Sequence, residues 1–207
     1  AVRTPNPQFY LLDQYLVTME LQEIPAAILF TKEDLDRGEL ADYRRRYETA
    51  GYPVFSVSVE NGSGIETLRA HLAGKTTVLA GPSGVGKSTL TNLLCPAANM
   101  ETGELSRKNL RGKQTTRHTE LFCLGENSYL LDTPGFTAVE VWGDTEAFKQ
   151  AFPEIRALEG QCRFTGCNHR AEPDCAVKAA VARGEIAASR YESYRKMAEE
   201  SAERRKY

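Results

Sequence analysis

The sequence predicts an α/β fold: a mostly parallel sheet with helices on both faces, then a small, mostly helical segment organised around metal ligands. Three observations predict it. Apolar runs of strand length alternate with stretches of helical period over the first half of the chain. The octapeptide Gly81-Pro82-Ser83-Gly84-Val85-Gly86-Lys87-Ser88 lies between an apolar run, Thr77–Ala80, and a short helical stretch, Ser88–Leu94. Near the C-terminus, Cys162, Cys167, His169 and Cys175 fall close together.

The octapeptide fits G-x-x-x-x-G-K-S/T, the phosphate-binding loop of P-loop nucleotidases, and its strand–loop–helix setting is the one that motif needs. Backbone N–H groups of Gly81, Ser83, Gly84, Val85 and Gly86 and of the following helix start, with Thr89, are expected to cradle phosphates. Lys87 would reach the β- and γ-phosphates, and the Ser88 hydroxyl would ligate Mg²⁺.

Composition bounds the rest. A chain of 207 residues holds one sizeable domain plus a small one. Its net charge of −2 supplies no global attraction for nucleic acid, so such a contact rests on local patches. No apolar run is long enough to span a bilayer, and no signal peptide opens the chain. The start at Ala1-Val2 without Met reads as trimming or a fragment. Of five cysteines, three crowd into 162–175 beside a histidine, which favours metal binding in a reducing compartment over a disulfide framework.

Taken in order, Phe9, Leu12, Leu16 and Met19 mark an amphipathic helix within Pro7–Glu23. Pro25–Phe30 reads as a buried strand running into Thr31-Lys32-Glu33-Asp34. GTPases place N/T-K-x-D at such a strand end. The Asp accepts guanine N1–H and the exocyclic amine, and the Lys stem lies along the base. Adenine lacks that donor pair, so discrimination is large. Thr31 stands where Asn is more usual, which removes an amide that would brace the site. A capped surface turn is the plainer account of the tetrapeptide alone.

Leu40, Tyr43 and Tyr47 mark the next helix, with Arg44, Arg45 and Arg46 read as a solvated face. Val54–Ser58 is a strand, followed by Val59-Glu60-Asn61-Gly62-Ser63-Gly64-Ile65. This looks like the S-A-x-x-G-x-G-I/L segment of GTPases that closes over the guanine, in which the N–H after Ser58 meets O6 and Val59 stands in place of Ala; a plain strand–turn–helix connection explains the segment alone equally well. Ile65–Leu72 is a short helix leading to the P-loop strand.

Beyond the P-loop helix, Arg107, Lys108, Arg111, Lys113 and Arg117 occupy a glycine-containing stretch read as a mobile basic loop. It includes Gln114-Thr115-Thr116, where Thr116, with Thr115 as alternative, fits the switch I residue that ligates Mg²⁺. A hairpin over Glu120–Leu124 and Ser128–Leu131 delivers Asp132-Thr133-Pro134-Gly135. In D-x-x-G, Asp132 holds the metal and the Gly135 N–H senses the γ-phosphate.

The order is unusual: the guanine-reading segments precede the P-loop. A site needs its loops at one sheet edge, not in one chain order, so joining old termini and cutting a loop preserves it. The loop after Asp132 then leads straight out of the domain, so the C-terminal segment is placed to respond to the γ-phosphate. That segment contains Cys162-x4-Cys167-x-His169-x5-Cys175, a donor set suited to a closed tetrahedral Zn²⁺ site. Cys95 and Cys123 read as core residues. Ala176–Arg183 and Ala187–Arg205 read as two helices, the last able to pack or to touch RNA phosphates.

These residues, with Lys113-Gln114-Thr115-Thr116-Arg117-His118 and Asp132-Thr133-Pro134-Gly135-Phe136, resemble the circularly permuted, ribosome-associated GTPases of the YjeQ/RsgA family from end to end. The resemblance implies a permuted GTPase domain over 1–144 and a zinc-binding helical domain over 145–207. It implies GTP hydrolysis during maturation of the bacterial small ribosomal subunit, stimulated by that subunit and its rRNA. GTP/GDP, Mg²⁺ and Zn²⁺ are the expected cofactors, for a cytoplasmic monomer off the membrane. The family also carries an N-terminal OB-fold, so this chain reads as truncated. Phe136 stands where many GTPases have a water-orienting Gln, and Gln114 stands where the family offers a His. Gln114 can orient water but cannot take a full proton, and positioning is most of what phosphoryl transfer asks. The expected catalytic set is Lys87, Gln114, Thr116 and Gly135.

Two other readings share these residues. Thr31 keeps an ATP-using P-loop kinase open, and Asp34 opposes it. A zinc-bearing RNA-binding module with nucleotide as a binding switch differs in whether RNA or subunits raise turnover.

Overall fold

The computed structural model describes residues 1–98, 120–133 and 139–204. They form α1 (Phe9–Leu21), β1 (Ile28–Thr31), α2 (Leu40–Glu48), β2 (Val54–Val57), α3 (Ile65–Leu72), β3 (Thr76–Leu79), α4 (Lys87–Leu94), β4 (Glu120–Gly125), β5 (Ser128–Asp132), α5 (Thr145–Gln150), α6 (Pro153–Arg156), α7 (Ala176–Ala182) and α8 (Ala188–Arg204). The alternation expected from the sequence is present through β5. The short helices α5 and α6 were not expected. Asp144 caps α5 by accepting from the Ala147 N–H at 2.8 Å, and Pro153 opens α6.

The strands form two sheets, β1-β2 and β3-β5-β4. β3 and β5 are parallel, with Leu79 opposite Asp132, and β4 and β5 are an antiparallel hairpin. Buried Val2 donates its backbone N–H to the Thr31 carbonyl at 2.8 Å, alongside the end of β1. The chain divides into two compact units. One comprises Ala1–Pro7, Leu29–Leu40 and Phe55–Ala138, and the other Gln8–Ile28, Ala41–Val54 and Val139–Tyr207.

In the first unit, Val57, Leu68, Leu72, Leu90, Phe122 and Leu130 make the core. Each such side chain contributes about 1.5–3 kcal/mol by leaving water. β3 is not the buried strand its apolar run suggests: Val78 is 53% exposed. Side chains alternate across a strand, so the core takes Leu79 while Val78 faces the other way. Cys95 is buried as expected, but Cys123 is exposed, because on β4 it alternates with buried Phe122.

In the second unit, Phe148, Phe152, Ile155, Val177, Tyr194 and Met197 form a helical core with Val17 of α1. The buried face of α1 is Leu11, Asp13, Leu16 and Val17, which keeps only Leu16 of the Phe9, Leu12, Leu16 and Met19 stripe expected from period. The rotation has a physical cause: Asp13 is drawn inward by Arg190 of α8. Its guanidinium donates to Asp13 Oδ1 at 2.8 Å and to Glu154 Oε1 at 2.7 Å, with all three residues buried. Phe152, Tyr47 and Tyr52 surround it, with ring centroids 4.6, 5.6 and 5.7 Å away. The arginine run on α2 is only partly a solvated face. Arg46 lies 4.0 Å over the Phe9 ring, and Arg44 donates to the Val54 carbonyl.

Candidate nucleotide site and metal centre

The P-loop joins β3 to α4. Gly84 and Gly86 take φ +78° and +96°, left-handed values open to glycine, and Gly86 caps α4. Lys87 begins α4 and folds back, its Nζ donating to the carbonyls of Gly81 at 2.8 Å and Pro82 at 3.1 Å. Burial lowers its pKa, and the charge of Asp132 opposes that shift. Asp132 is fully buried at the end of β5. The next residue, Thr133, donates to the Leu79 carbonyl at 2.7 Å, which ties the end of β5 to the strand that feeds the P-loop. Ser83, Val85 and Ser88 are half-buried and Thr89 is exposed, so the loop and helix start stay open to a ligand.

The segment Thr31–Asp34 sits against the same loop. Thr31 Oγ1 donates to the Val85 carbonyl at 2.6 Å, and Lys32 Nζ to the Gly84 carbonyl at 3.2 Å and the Thr4 carbonyl at 2.5 Å. The Thr31 hydroxyl therefore ties this segment to the P-loop backbone. Lys32 takes φ +58°, which turns the chain into a short 3₁₀ turn over Glu33–Leu35. Burial lowers the Lys32 pKa, opposed by Asp34. Asp34 Oδ1 accepts from the Ser58 hydroxyl at 2.5 Å. Beyond Ser58 the chain doubles back: Ser58 N–H donates to the Ser63 carbonyl and Gly62 N–H to the Ser58 carbonyl. Gly64 closes this loop at φ +71°, where a Cβ would lie 2.0 Å from the Ser56 carbonyl oxygen.

Thr31, Lys32, Asp34, Ser58, the P-loop and Asp132 thus belong to one compact unit, and hydrogen bonds run from Thr31 and Lys32 to the P-loop and from Ser58 to Asp34. Val59, half-buried, comes directly after Ser58. Gln114, Thr115, Thr116, Gly135 and Phe136, with the basic residues Arg107, Lys108, Arg111, Lys113 and Arg117, lie outside the described residues.

In the other unit, Cys162, Cys167, His169 and Cys175 bring their donor atoms within 4.8 Å of one another. Cys162 Sγ lies 3.5 Å from His169 Nδ1 and 3.9 Å from Cys175 Sγ, and Cys175 Sγ lies 3.4 Å from His169 Nδ1. A tetrahedral ion with zinc-like bonds sets edges of about 3.8 Å between sulfurs and about 3.6 Å from sulfur to nitrogen. The residues fit such an ion. Burial, and after it the neighbouring thiols, pushes the Cys167 thiol up to about 12. Burial would raise Cys162 too, but backbone N–H groups of Ala176 and Val177 and the other thiols more than offset it. Burial lowers the His169 pKa, which keeps the imidazole neutral as ligation requires.

The support of this cluster was not read from the sequence. Glu172 accepts the backbone N–H groups of Asn168 and Arg170, each at 2.8 Å, on either side of His169. Those bonds bring its pKa from 4.5 to about 2. Tyr191 and Tyr194 of α8 donate to the carbonyls of His169 and Asn168 at 2.6 and 2.9 Å. Glu172 and Asp174 both fall inside the ligand spacing, and sequence alone does not say which takes the backbone N–H groups.

A family model described as RsgA GTPase matches residues 1–142. The chain belongs to the RsgA GTPase family. Among RsgA relatives, "Small ribosomal subunit biogenesis GTPase RsgA" from Agathobacter rectalis is 44% identical over 209 residues, covering 100% of this chain and 69% of its own length. The protein of the same name from Alkaliphilus metalliredigens is 43% identical, covering 100% of this chain and 72% of its own. The crystal structure of YjeQ from Thermotoga maritima superposes with a TM-score of 0.73 at 37% identity, over 97% of this chain and 68% of that one. YloQ, described as a circularly permuted GTPase, superposes with a TM-score of 0.74 at 34% identity, over 97% of this chain and 65% of that one. The RsgA fold thus accounts for guanine-type loops that come before the P-loop. Among the described residues, no helix is long and apolar enough to cross a membrane.

Proposed function

We propose that this chain hydrolyses GTP to GDP and phosphate in late assembly of the bacterial small ribosomal subunit, and that the subunit stimulates it. The observation that carries the proposal is the direct bonding of the Thr31–Asp34 segment to the P-loop backbone, which puts a base-reading carboxylate and a phosphate cradle in one unit. The names of the relatives point the same way. Asp34 accepts the two guanine donors while Ser58 and the Val59 N–H close over O6. Lys87 leaves its carbonyl partners for the β- and γ-phosphates, and the N–H groups of Ser83 to Ser88 hold the phosphate oxygens. Ser88, Asp132 and Thr116 are the residues that would hold Mg²⁺, which neutralises charge on the β- and γ-oxygens when bound. Gln114 orients the attacking water, and the Gly135 N–H reads the γ-phosphate.

In this reading residues 1–144 carry the nucleotide chemistry and residues 145–207 a structural zinc domain. Cys162, Cys167, His169 and Cys175 fill a tetrahedral shell, which leaves no position for reactive water. Glu172 holds the backbone on both sides of His169, so Glu172→Ala is expected to weaken zinc retention about 10–100-fold. Competition with a chromogenic chelator measures it. The protein acts as a cytoplasmic monomer on small-subunit rRNA.

The deciding experiment is GTP turnover with and without purified small ribosomal subunits. The expected result is slow intrinsic hydrolysis that rises on adding subunits. Tight GTP binding with turnover that subunits leave unchanged would instead favour a nucleotide-dependent binding switch.

A further inference from the structure

Glu33 is the variable residue of the T-K-x-D tetrapeptide, and nothing in the motif gives it a role. In the structure its carboxylate is shared between two serines that flank the facing loop. Ser56 Oγ donates to Oε1 at 3.0 Å, and Ser63 Oγ donates to Oε2 at 2.8 Å. Ser56 lies in β2, before the base-closing loop, and Ser63 lies at that loop's far end. One carboxylate therefore pins both ends of the segment that carries Ser58 and Val59. The left-handed turn at Lys32 is what points Glu33 and Asp34 to the same loop, so Asp34 takes Ser58 while Glu33 takes the flanking pair.

We propose that Glu33 is a positioning residue for base selectivity, fixing residues 56–64 so that the Val59 N–H stands ready for guanine O6. This rests on the guanine reading of the pocket. Hydrogen bonds to an ionised carboxylate are the stronger kind, but both serines are accessible to water, so the effect is moderate. The bonds of the Glu33 carboxylate run to Ser56 and Ser63, not to the P-loop. Its loss acts on the base-closing loop and leaves the P-loop alone.

The test measures dissociation constants of GDP and ADP for the full chain, its Glu33→Ala and Glu33→Gln variants, a Ser56→Ala/Ser63→Ala variant and the triple combination. Thermal midpoints are recorded alongside. Glu33→Ala is expected to weaken GDP about five- to tenfold while ADP changes less than about twofold, at an unchanged thermal midpoint. The serine pair is expected to reproduce that loss, and adding Glu33→Ala to it to cost nothing further. Glu33→Gln is expected to recover most of it, since an amide still bonds both hydroxyls. GDP affinity unchanged in Glu33→Ala, or GDP and ADP weakened equally, overturns the proposal alone while the wild type still prefers GDP. A wild type with no preference for GDP over ADP overturns the guanine reading, and the proposal with it.

Discussion

Lys87→Ala is expected to lower GTP turnover by at least about 10²–10³-fold, with most of the loss in kcat. The ammonium begins α4 inside the P-loop, 2.8 Å from the Gly81 carbonyl. Phosphoryl transfer offers a protein little to do except position groups and stabilise charge, and in the proposed mechanism Lys87 is the cation that moves from its carbonyl partners to that charge. A competing effect is small. Removing a partly desolvated ammonium relieves a burial cost, but it also withdraws a positive neighbour from buried Asp132. The two oppose, so the thermal midpoint is expected to move little. Single-turnover hydrolysis and a melting curve separate them. Turnover within tenfold of the wild type in a folded variant would place the chemistry elsewhere.

Arg190→Ala is expected to destabilise the fold by about 3–5 kcal/mol, because it leaves two buried carboxylates without their counter-charge. Glu154 and Asp13 hold the guanidinium charged against burial, while burial pushes the Asp13 carboxyl up against the pull of Arg190. Charge and shape can be told apart. The triple variant Asp13→Leu, Glu154→Met, Arg190→Met removes the ions but keeps volume, and it is expected to regain most of the lost stability. Urea denaturation of each variant measures both. A single Arg190→Ala change costing under about 1 kcal/mol would mean that water reaches the site.

What was legible in the sequence was local. The P-loop, Thr31–Asp34 and the Cys and His ligands announce themselves within a few positions, because a phosphate cradle or a metal shell needs fixed residue types at fixed intervals. Helices α3 and α8 were legible because their apolar period is regular. Asp13 and Arg190, by contrast, are 177 positions apart, and no window reads such a pair. Its consequence was misread with it: a stripe chosen by hydrophobicity alone misses an aspartate buried by a distant cation. Thr31 looked like a lost brace because side-chain identity does not show that a shorter hydroxyl still reaches the Val85 carbonyl. Cys123 looked like core because strand composition does not say which face is covered.

The same long-range pairing orders events during synthesis. The buried aspartate of α1 meets its arginine only after 177 further residues are made. At about 5–20 residues per second that interval is roughly 9–35 s. The residues of the P-loop and of Asp132 are all made before α8 begins. Until Arg190 is made, Asp13 of α1 has no buried counter-charge, so the core of the second unit is completed only after α8 is synthesised.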